Sequence, residues 1–226
     1  MSHSLNIPAI KSLIFKDWFL SRKYIAMYCA GCLFALSFVS LGEWQFVLGT
    51  SLLMCLLVGM SNHQIAILII NERKEQTLPF VMSLPITPTD YAFSKLIASA
   101  ALFCIPGIMV VLITIAVFKF TPVPDGLIPL SVILCTYFLM AYFITWAVGM
   151  SIESEGIIIF VMVSFNCMIG PIFYFMGKTP SLSQHFFQPD AVWNSTAIGI
   201  LIVQWVVIVI TISASFFIQS RKKTFL

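Results

Sequence analysis

Six long apolar runs, separated by short polar segments, dominate the hydrophobic pattern of this chain. A helix needs about 20 apolar residues to cross a bilayer, and each run approaches or exceeds that length. The pattern therefore predicts an all-α integral membrane protein with six transmembrane helices. The predicted spans cover residues of about 24–41, 46–70, 91–118, 127–150, 157–176 and 195–218.

The residues before the first span, about 5–22, are too polar to cross a membrane but show helical periodicity. An apolar stripe at helical spacing, which Leu13 does not join, consists of Ile7, Ile10, Ile14 and Trp18. We expect an interfacial amphipathic helix on the membrane surface, with Lys16, Arg22 and Lys23 at the lipid headgroups. A plain basic leader is the alternative. No cleavable signal peptide is expected, because a short apolar region with a cleavage site is missing.

Small residues and prolines mark special positions within the spans. In the first span, a face suited to close helix contact carries Ala26, Ala30, Gly31 and Ala35. The third span contains the pair 106–107, Pro-Gly, which predicts a kink, and the pair 170–171, Gly-Pro, predicts a break in the fifth.

Composition supports the membrane assignment and leaves no room for a soluble domain. The chain is 60% hydrophobic and 9% charged, whereas soluble domains carry about 25% charged residues. Residues 1–226 are therefore interpreted as one transmembrane domain. All six cysteines lie in apolar runs, which favours packing roles over a disulfide framework or a metal site.

The distribution of basic residues predicts the orientation. Of the 12 Lys and Arg residues, only Lys119 and Lys178 lie on the side opposite the termini. Because Lys and Arg are enriched in cytoplasmic segments, we expect both termini, and the polar segment between spans two and three, in the cytoplasm.

That polar segment, 71–95, is the longest charged and proline-punctuated break in the chain. Thr87, Pro88 and Asp90 form a close variant of a capping box, so the third helix is predicted to begin at Pro88. Upstream, Thr77 can cap a short helix over residues 78–84. Its apolar side chains favour a docking surface, although folding back on the membrane would hide them equally well.

Polar residues also occur inside the spans. The densest group is 61–64, Ser-Asn-His-Gln, and Asn166 lies near the middle of span five. Asn62, His63 and Asn166 could line a path for substrate or form hydrogen bonds between helices. No charged residue is found deep in any span, which argues against an ion-driven carrier.

The run NERKEQTLPFVMSLPITPTDYAFSK, residues 71–95, resembles the signature loop of ABC-2 type transporter permeases. The resemblance extends to the six-span order, the interfacial helix and the broken fifth span. It implies a coupling helix within 72–84 that seats in a cytoplasmic ATPase, and a smaller contact at the link 151–156. The residues that it implies for ATPase coupling are Glu72, Glu75, Thr77, Leu78, Phe80, Val81, Leu84, Glu153 and Glu155.

The resemblance also implies the partners: two ATPase copies that bind ATP and Mg, a second permease copy or a homologous permease, and membrane lipid. The location would be a bacterial inner membrane. The chain has no G-x-x-x-x-G-K-[ST] motif, so no cofactor is expected in this subunit, which is not itself an enzyme, and no nucleic-acid partner is expected. The short segment 177–194 departs from larger family members.

These observations favour the permease subunit of an ATP-driven exporter of hydrophobic or amphipathic cargo such as a peptide, a lipid-like molecule or a drug. An ion-coupled transporter or channel is the alternative. A membrane-embedded hydrolase or transferase is a third, but Ser61 and His63 point to different faces of a helix and have no accompanying acid.

Overall fold

The computed structural model describes residues 6–74 and 86–221, which form helices and connecting turns with no β-strand among them. Six of these helices are long and apolar enough to cross a membrane. They are α1 (Ile7–Phe38), α2 (Glu43–Lys74), α3 (Pro88–Phe120), α4 (Ile128–Ser151), α5 (Glu155–Lys178) and α6 (Ser195–Arg221). For the described residues, the predictions of an all-α fold and of six helices long and apolar enough to cross a membrane are confirmed.

The predicted separation of an interfacial helix from span one is wrong. Helix α1 is continuous over 32 residues, from its cap at Asn6 to Phe38. The segment between the two predicted helices contains neither proline nor glycine, so nothing in it interrupts the backbone hydrogen bonds.

The face that the start of α1 turns toward the protein also differs from the predicted stripe. The buried residues are Ile10, Leu13, Asp17 and Ser21, whereas Ile7 and Trp18 are exposed. A helix in a membrane can leave apolar side chains toward lipid and bury its polar ones. The predicted stripe is therefore divided: Ile10 is buried in the protein, whereas Ile7 and Trp18 are exposed.

Helix α2 ends in an unusual geometry. After Ile65 the backbone forms a π-helix over Ala66–Asn71, and a last α-helical turn covers Glu72–Lys74. π-helical segments are rare and occur often at functional sites, because the wider turn changes the direction of the side chains that follow. The side chain that follows directly is Glu72.

Neither proline pair interrupts its helix. Pro106 lies within the continuous helix α3, and Pro171 lies within the continuous helix α5. The prediction of a broken fifth span is therefore wrong. The predicted start of α3 is confirmed, because Thr87 and Asp90 form the reciprocal capping box and Pro88 is the first helical residue.

Helix α4 forms the centre of the bundle and packs against α2, α3, α5 and α6, while α1 packs against α2 and α3. Trp146 and Tyr142 of α4 are fully buried. Of the predicted small-residue face, Ala35 is buried, and a Cβ added at Gly49 of α2 would lie 2.8 Å from its carbonyl oxygen. Ala26 and Ala30 are exposed.

At the opposite end of the bundle from Glu72, a 3₁₀ turn over Asp125–Leu127 lies against the segment after α5. The Gly126 amide donates a hydrogen bond to the Gln188 carbonyl, with an N···O distance of 3.1 Å. A Cβ at Gly126 would lie only 1.9 Å from the His185 carbonyl oxygen. The two backbone segments can approach this closely only because residue 126 has no side chain.

We therefore expect Gly126→Ala to lower the thermal unfolding temperature in detergent, with a cost of about 1–3 kcal/mol as for other overpacked sites. The matched control is Gly177→Ala, because a Cβ added at Gly177 has no neighbour within 4 Å. This substitution should leave the unfolding temperature unchanged or raise it slightly. An unchanged unfolding temperature for Gly126→Ala would contradict the close backbone contact.

Candidate functional site

Four charged side chains from three helices meet near the end of the bundle where α2 stops and α3 starts. Lys95 of α3 contacts both carboxylates: its Nζ lies 2.9 Å from Asp17 Oδ2 and 2.7 Å from Glu72 Oε2. Lys16 Nζ lies 2.5 Å from Glu72 Oε1 and 3.6 Å from Asp17 Oδ1. We call Lys16, Asp17, Glu72 and Lys95 the charged cluster.

The charged cluster is almost sealed from its surroundings. The side chains of Asp17, Glu72 and Lys95 are 2%, 4% and 1% exposed, and only Lys16 reaches the surface, at 37%. Two positive and two negative charges cancel, and the Tyr91 hydroxyl donates a further hydrogen bond to Glu72 Oε2 at 2.8 Å. Buried charges are tolerated when they are paired and hydrogen-bonded in this way.

The charges lie inside helices that are long enough to span a membrane. Lys95 is seven residues into α3 and Asp17 is ten residues into α1, which corresponds to about 10 and 15 Å of helix. Both residues lie in the first half of their helix, so the expectation that no span contains a charge deep inside it stays a prediction. Their position is compatible with a membrane because they face protein and each other rather than lipid.

Two described elements flank segment 75–85 along the chain. Glu72 precedes this segment by three residues, and the α3 cap at Thr87 follows its last residue by two. The cap is also tied to α1, because the Asn6 amide donates to Asp90 Oδ1 at 3.3 Å and Leu13 packs against Ile86. Both ends of the segment are therefore joined to helix α1.

A second set of contacts joins the end of α2 to the link between α4 and α5. The Arg73 guanidinium donates two hydrogen bonds of 2.6 Å, one to the Gly149 carbonyl and one to the Ile152 carbonyl. Gln219 of α6 donates to the Met150 carbonyl at 2.6 Å. These donors satisfy carbonyls that the end of a helix leaves without partners, and a cation there also complements the helix dipole.

We expect Arg73→Lys to lower stability, because an ammonium group cannot reproduce the two parallel donors of the guanidinium. The loss of one charge-assisted hydrogen bond corresponds to about 1.5–3 kcal/mol, measured by thermal unfolding in detergent. The matched control is Lys74→Met. Lys74 Nζ lies 2.7 Å from Glu155 Oε1 in a pair that is 58% and 40% exposed, and such pairs contribute about 0–1 kcal/mol. Equal losses for the two variants would contradict this assignment.

The structure describes only some of the residues implied for ATPase coupling. Glu72 points into the charged cluster, Glu153 is exposed, and Glu155 pairs with Lys74. Arg73 and Lys74 thus bring the end of α2, where the polar segment begins, next to the link 151–156. The remaining members lie outside the described residues: Glu75, Thr77, Leu78, Phe80, Val81 and Leu84.

Deeper in the bundle, Gln64 of α2 forms the centre of a polar network. Its Nε2 donates to the Leu102 carbonyl at 2.8 Å, and its Oε1 accepts from the Tyr142 hydroxyl at 3.2 Å. Leu102 lies four residues before Pro106, whose ring nitrogen cannot supply the usual helical hydrogen bond. Gln64 therefore satisfies the carbonyl that Pro106 leaves free, which identifies this member of the polar group 61–64 as a hydrogen-bonding link between helices.

The three residues proposed for a substrate path do not meet in either cavity described below. His63 packs against the rings of Tyr24 and Tyr28, with centroid distances of 4.5 and 5.9 Å. Asn62 and Asn166 are half-buried. None of the three lines either of two apolar cavities in the described bundle, which have volumes of about 240 and 610 Å³.

Residues 6–74 and 86–221 contain no group of three or more His, Cys, Asp or Glu side chains placed to hold a metal ion. Sequence reasoning missed that Lys16, Asp17 and Lys95 join Glu72 in the charged cluster, and that Arg73 binds the link after α4. A signal for two of them was present, since a charged residue inside an apolar run requires a partner. The sequence does not indicate which partner, because α1 and α3 are about 78 residues apart at Asp17 and Lys95.

Comparisons of the chain with protein-family models, curated proteins and solved structures found no match.

Proposed function

We propose that this chain is the membrane subunit of an ATP-driven exporter of the ABC-2 type. It moves hydrophobic or amphipathic cargo out of the cytoplasm or the inner leaflet, and a separate ATPase supplies the energy. The observation that carries the proposal is the charged cluster, because it joins α1, α2 and α3 at both ends of segment 75–85. This is the segment whose sequence resembles the coupling region of the family.

In this mechanism the ATPase binds segment 75–85 and moves it when its nucleotide sites close. Movement at residue 74 reaches α1 through Glu72 and Lys16, and movement at residue 86 reaches α1 through Lys95 and Asp17. Arg73 carries the same displacement to the link between α4 and α5. The ATPase drives the change by binding one arrangement of these helices more tightly than another.

The distribution of basic residues supports an orientation in which the end of the bundle that holds the charged cluster faces the cytoplasm. Ten of the 12 Lys and Arg residues belong to the end of the bundle that holds the charged cluster or to the adjoining termini and loop. Because basic residues remain on the cytoplasmic side, this end faces the cytoplasm, where the ATPase is available. The bilayer is a bacterial inner membrane, and a second permease copy or a homologous permease completes the transporter.

Affinity purification from the native membrane tests the proposal. Wild-type protein should recover a second protein with a G-x-x-x-x-G-K-[ST] motif. The double variant Phe80→Asp/Leu84→Asp should lose it, since charges on an apolar docking surface oppose its burial. Phe187→Asp is the matched control, because Phe187 is 84% exposed at the opposite end of the bundle. Equal recovery with all three chains would contradict docking through segment 75–85.

A second candidate is an ion-coupled carrier, and the buried Asp17, Glu72 and Lys95 favour it to a limited degree, since carriers keep charges inside the membrane. In this chain, however, each buried carboxylate is already paired with Lys95. Proteoliposomes that contain only this chain distinguish the two functions. Transport under an ion gradient without ATPase would establish the carrier and refute the exporter.

A further inference from the structure

The larger of the two cavities, about 610 Å³, lies in the half of the bundle away from the charged cluster. Its walls come from α4, α5 and α6, and the short helix Pro180–Ser183 covers it through Leu182. Helices α5 and α6 pack on α4 rather than on each other. The cavity therefore opens sideways between these two helices, where Phe175 and Val203 are 67% and 61% exposed.

One side chain in this mostly apolar wall has unused hydrogen-bonding capacity. Gln204 is only 7% exposed, and its Nε2 donates one long hydrogen bond of 3.3 Å to the Ile133 carbonyl. Its Oε1 has no partner among the described residues. A primary amide offers two donor hydrogens and an accepting oxygen, and leaving them unused inside a membrane is unfavourable.

The other polar side chains of the wall each take part in one hydrogen bond. The Tyr137 hydroxyl donates to the Phe165 carbonyl at 2.6 Å, and Thr179 Oγ1 donates to the Phe175 carbonyl at 2.8 Å. Thr196 Oγ1 accepts from the Ser181 hydroxyl at 3.0 Å. Gln204 is therefore the group in this cavity best able to recognise a polar atom of a ligand.

We propose that this cavity binds a neutral, single-chain amphipath through its hydroxyl group. A hydroxyl both donates and accepts, so it can donate to Gln204 Oε1 while it accepts from Nε2. Oε1 is covered by protein atoms in this arrangement, so the proposal includes a rotation of the Gln204 amide when the ligand binds. No Asp, Glu, Lys or Arg lines the cavity, which favours a ligand without charge.

The size of the cavity and its lateral opening also fit a neutral, single-chain amphipath. A volume of about 610 Å³ lies within the range of about 300–1,000 Å³ that is typical of small-molecule sites. The lateral opening admits a molecule from the bilayer, and the apolar wall accommodates its chain. Binding depends on this chain alone, so it holds whether or not an ATPase drives the protein.

Photo-crosslinking in phosphatidylcholine nanodiscs tests the inference. The probe is a monoacylglycerol with a diazirine in its acyl chain, and the comparison probe is the methyl ester of the same diazirine fatty acid, which has no hydroxyl. We expect wild-type protein to be labelled on α5 and α6 at the cavity about fivefold more by the monoacylglycerol. This ratio corresponds to one net hydrogen bond.

Three variants separate recognition of the hydroxyl from occupation of the cavity. Gln204→Leu should lower the ratio of labelling by the monoacylglycerol to labelling by the methyl ester from about five to about one. Labelling by the methyl ester itself should not change. Gly199→Phe should reduce labelling by both probes, because a side chain there meets no neighbour within 4 Å and fills the cavity. Ile202→Phe is the matched control on the same helix, since Ile202 is 58% exposed and lies outside the cavity wall.

Equal labelling of wild-type protein by the two probes would overturn the proposal, as would an unchanged preference in Gln204→Leu. Labelling that maps to exposed residues such as Ile202, and that Gly199→Phe leaves intact, would show partition into the bilayer instead of a site. Each variant is first required to be monodisperse and to unfold cooperatively. If Gln204→Leu fails this requirement, Gly199→Phe and the wild-type ratio still decide the question.

Discussion

Lys95→Met is expected to destabilise this protein by about 3–5 kcal/mol, the cost observed when one partner of a buried ion pair is removed. The Lys95 ammonium contacts Asp17 and Glu72 within a site that is 1–4% exposed. Without it, two carboxylates share the single positive charge of Lys16, and one net negative charge remains buried. Thermal or denaturant unfolding in detergent measures the loss.

The matched control restores neutrality. In Asp17→Asn/Lys95→Met, Lys16 and Glu72 remain as a pair of opposite charges, and their 2.5 Å contact is not altered by the substitutions. We expect the double variant to recover most of the stability that Lys95→Met loses, since the pair is coupled and its effects are not additive. A double variant whose loss equals the sum of the two single losses would rule out electrostatic pairing as the cause.

The second large effect is expected for Gln64→Leu. The substitution removes the donor to the Leu102 carbonyl and the acceptor of the Tyr142 hydroxyl, both within the buried part of the bundle. Each buried polar group that loses its partner costs about 1–3 kcal/mol. The Tyr142 hydroxyl retains a 3.3 Å hydrogen bond to the Ser99 carbonyl, so the Leu102 carbonyl bears the larger part of the loss.

A double-mutant cycle with Pro106→Ala isolates the cause. Alanine restores a backbone N–H, which can donate to the Leu102 carbonyl in the ordinary helical pattern. Gln64→Leu should therefore cost less in the Pro106→Ala background than in the wild type, by about 1 kcal/mol or more. Equal costs in both backgrounds would show that Gln64 does not act by compensating for Pro106.

Local features of this chain are predictable from its sequence, whereas contacts between distant segments are not. The capping box at Thr87 and the start of α3 were predictable, because they depend on residues within one turn. Helix α1, in contrast, continues through the polar residues around position 23. Polar side chains do not interrupt a helix when they find partners in the protein, and Asp17 has such a partner in Lys95.

The candidate site, too, is only partly predictable from the sequence. The sequence indicated that segment 71–95 is special and that residues 61–64 are unusually polar for a span. It did not indicate that Glu72 points inward, because its direction depends on the π-helix Ala66–Asn71 and on two lysines from other helices. Gln64 and Pro106 were both noted, but their connection requires α2 and α3 to be neighbours.

The sequence alone determined six stretches long and apolar enough to form membrane-spanning helices, since about 20 predominantly apolar residues suffice for a helix to cross a bilayer. The sequence also determined the capping of α3 and the unequal distribution of Lys and Arg residues between the two ends of the bundle. Only the tertiary structure decided which faces of the helices are buried. In a membrane, lipid and protein are both apolar, so hydrophobicity does not distinguish them. The arrangement is instead specified by the few polar groups that require partners, such as Lys95, Gln64 and Arg73.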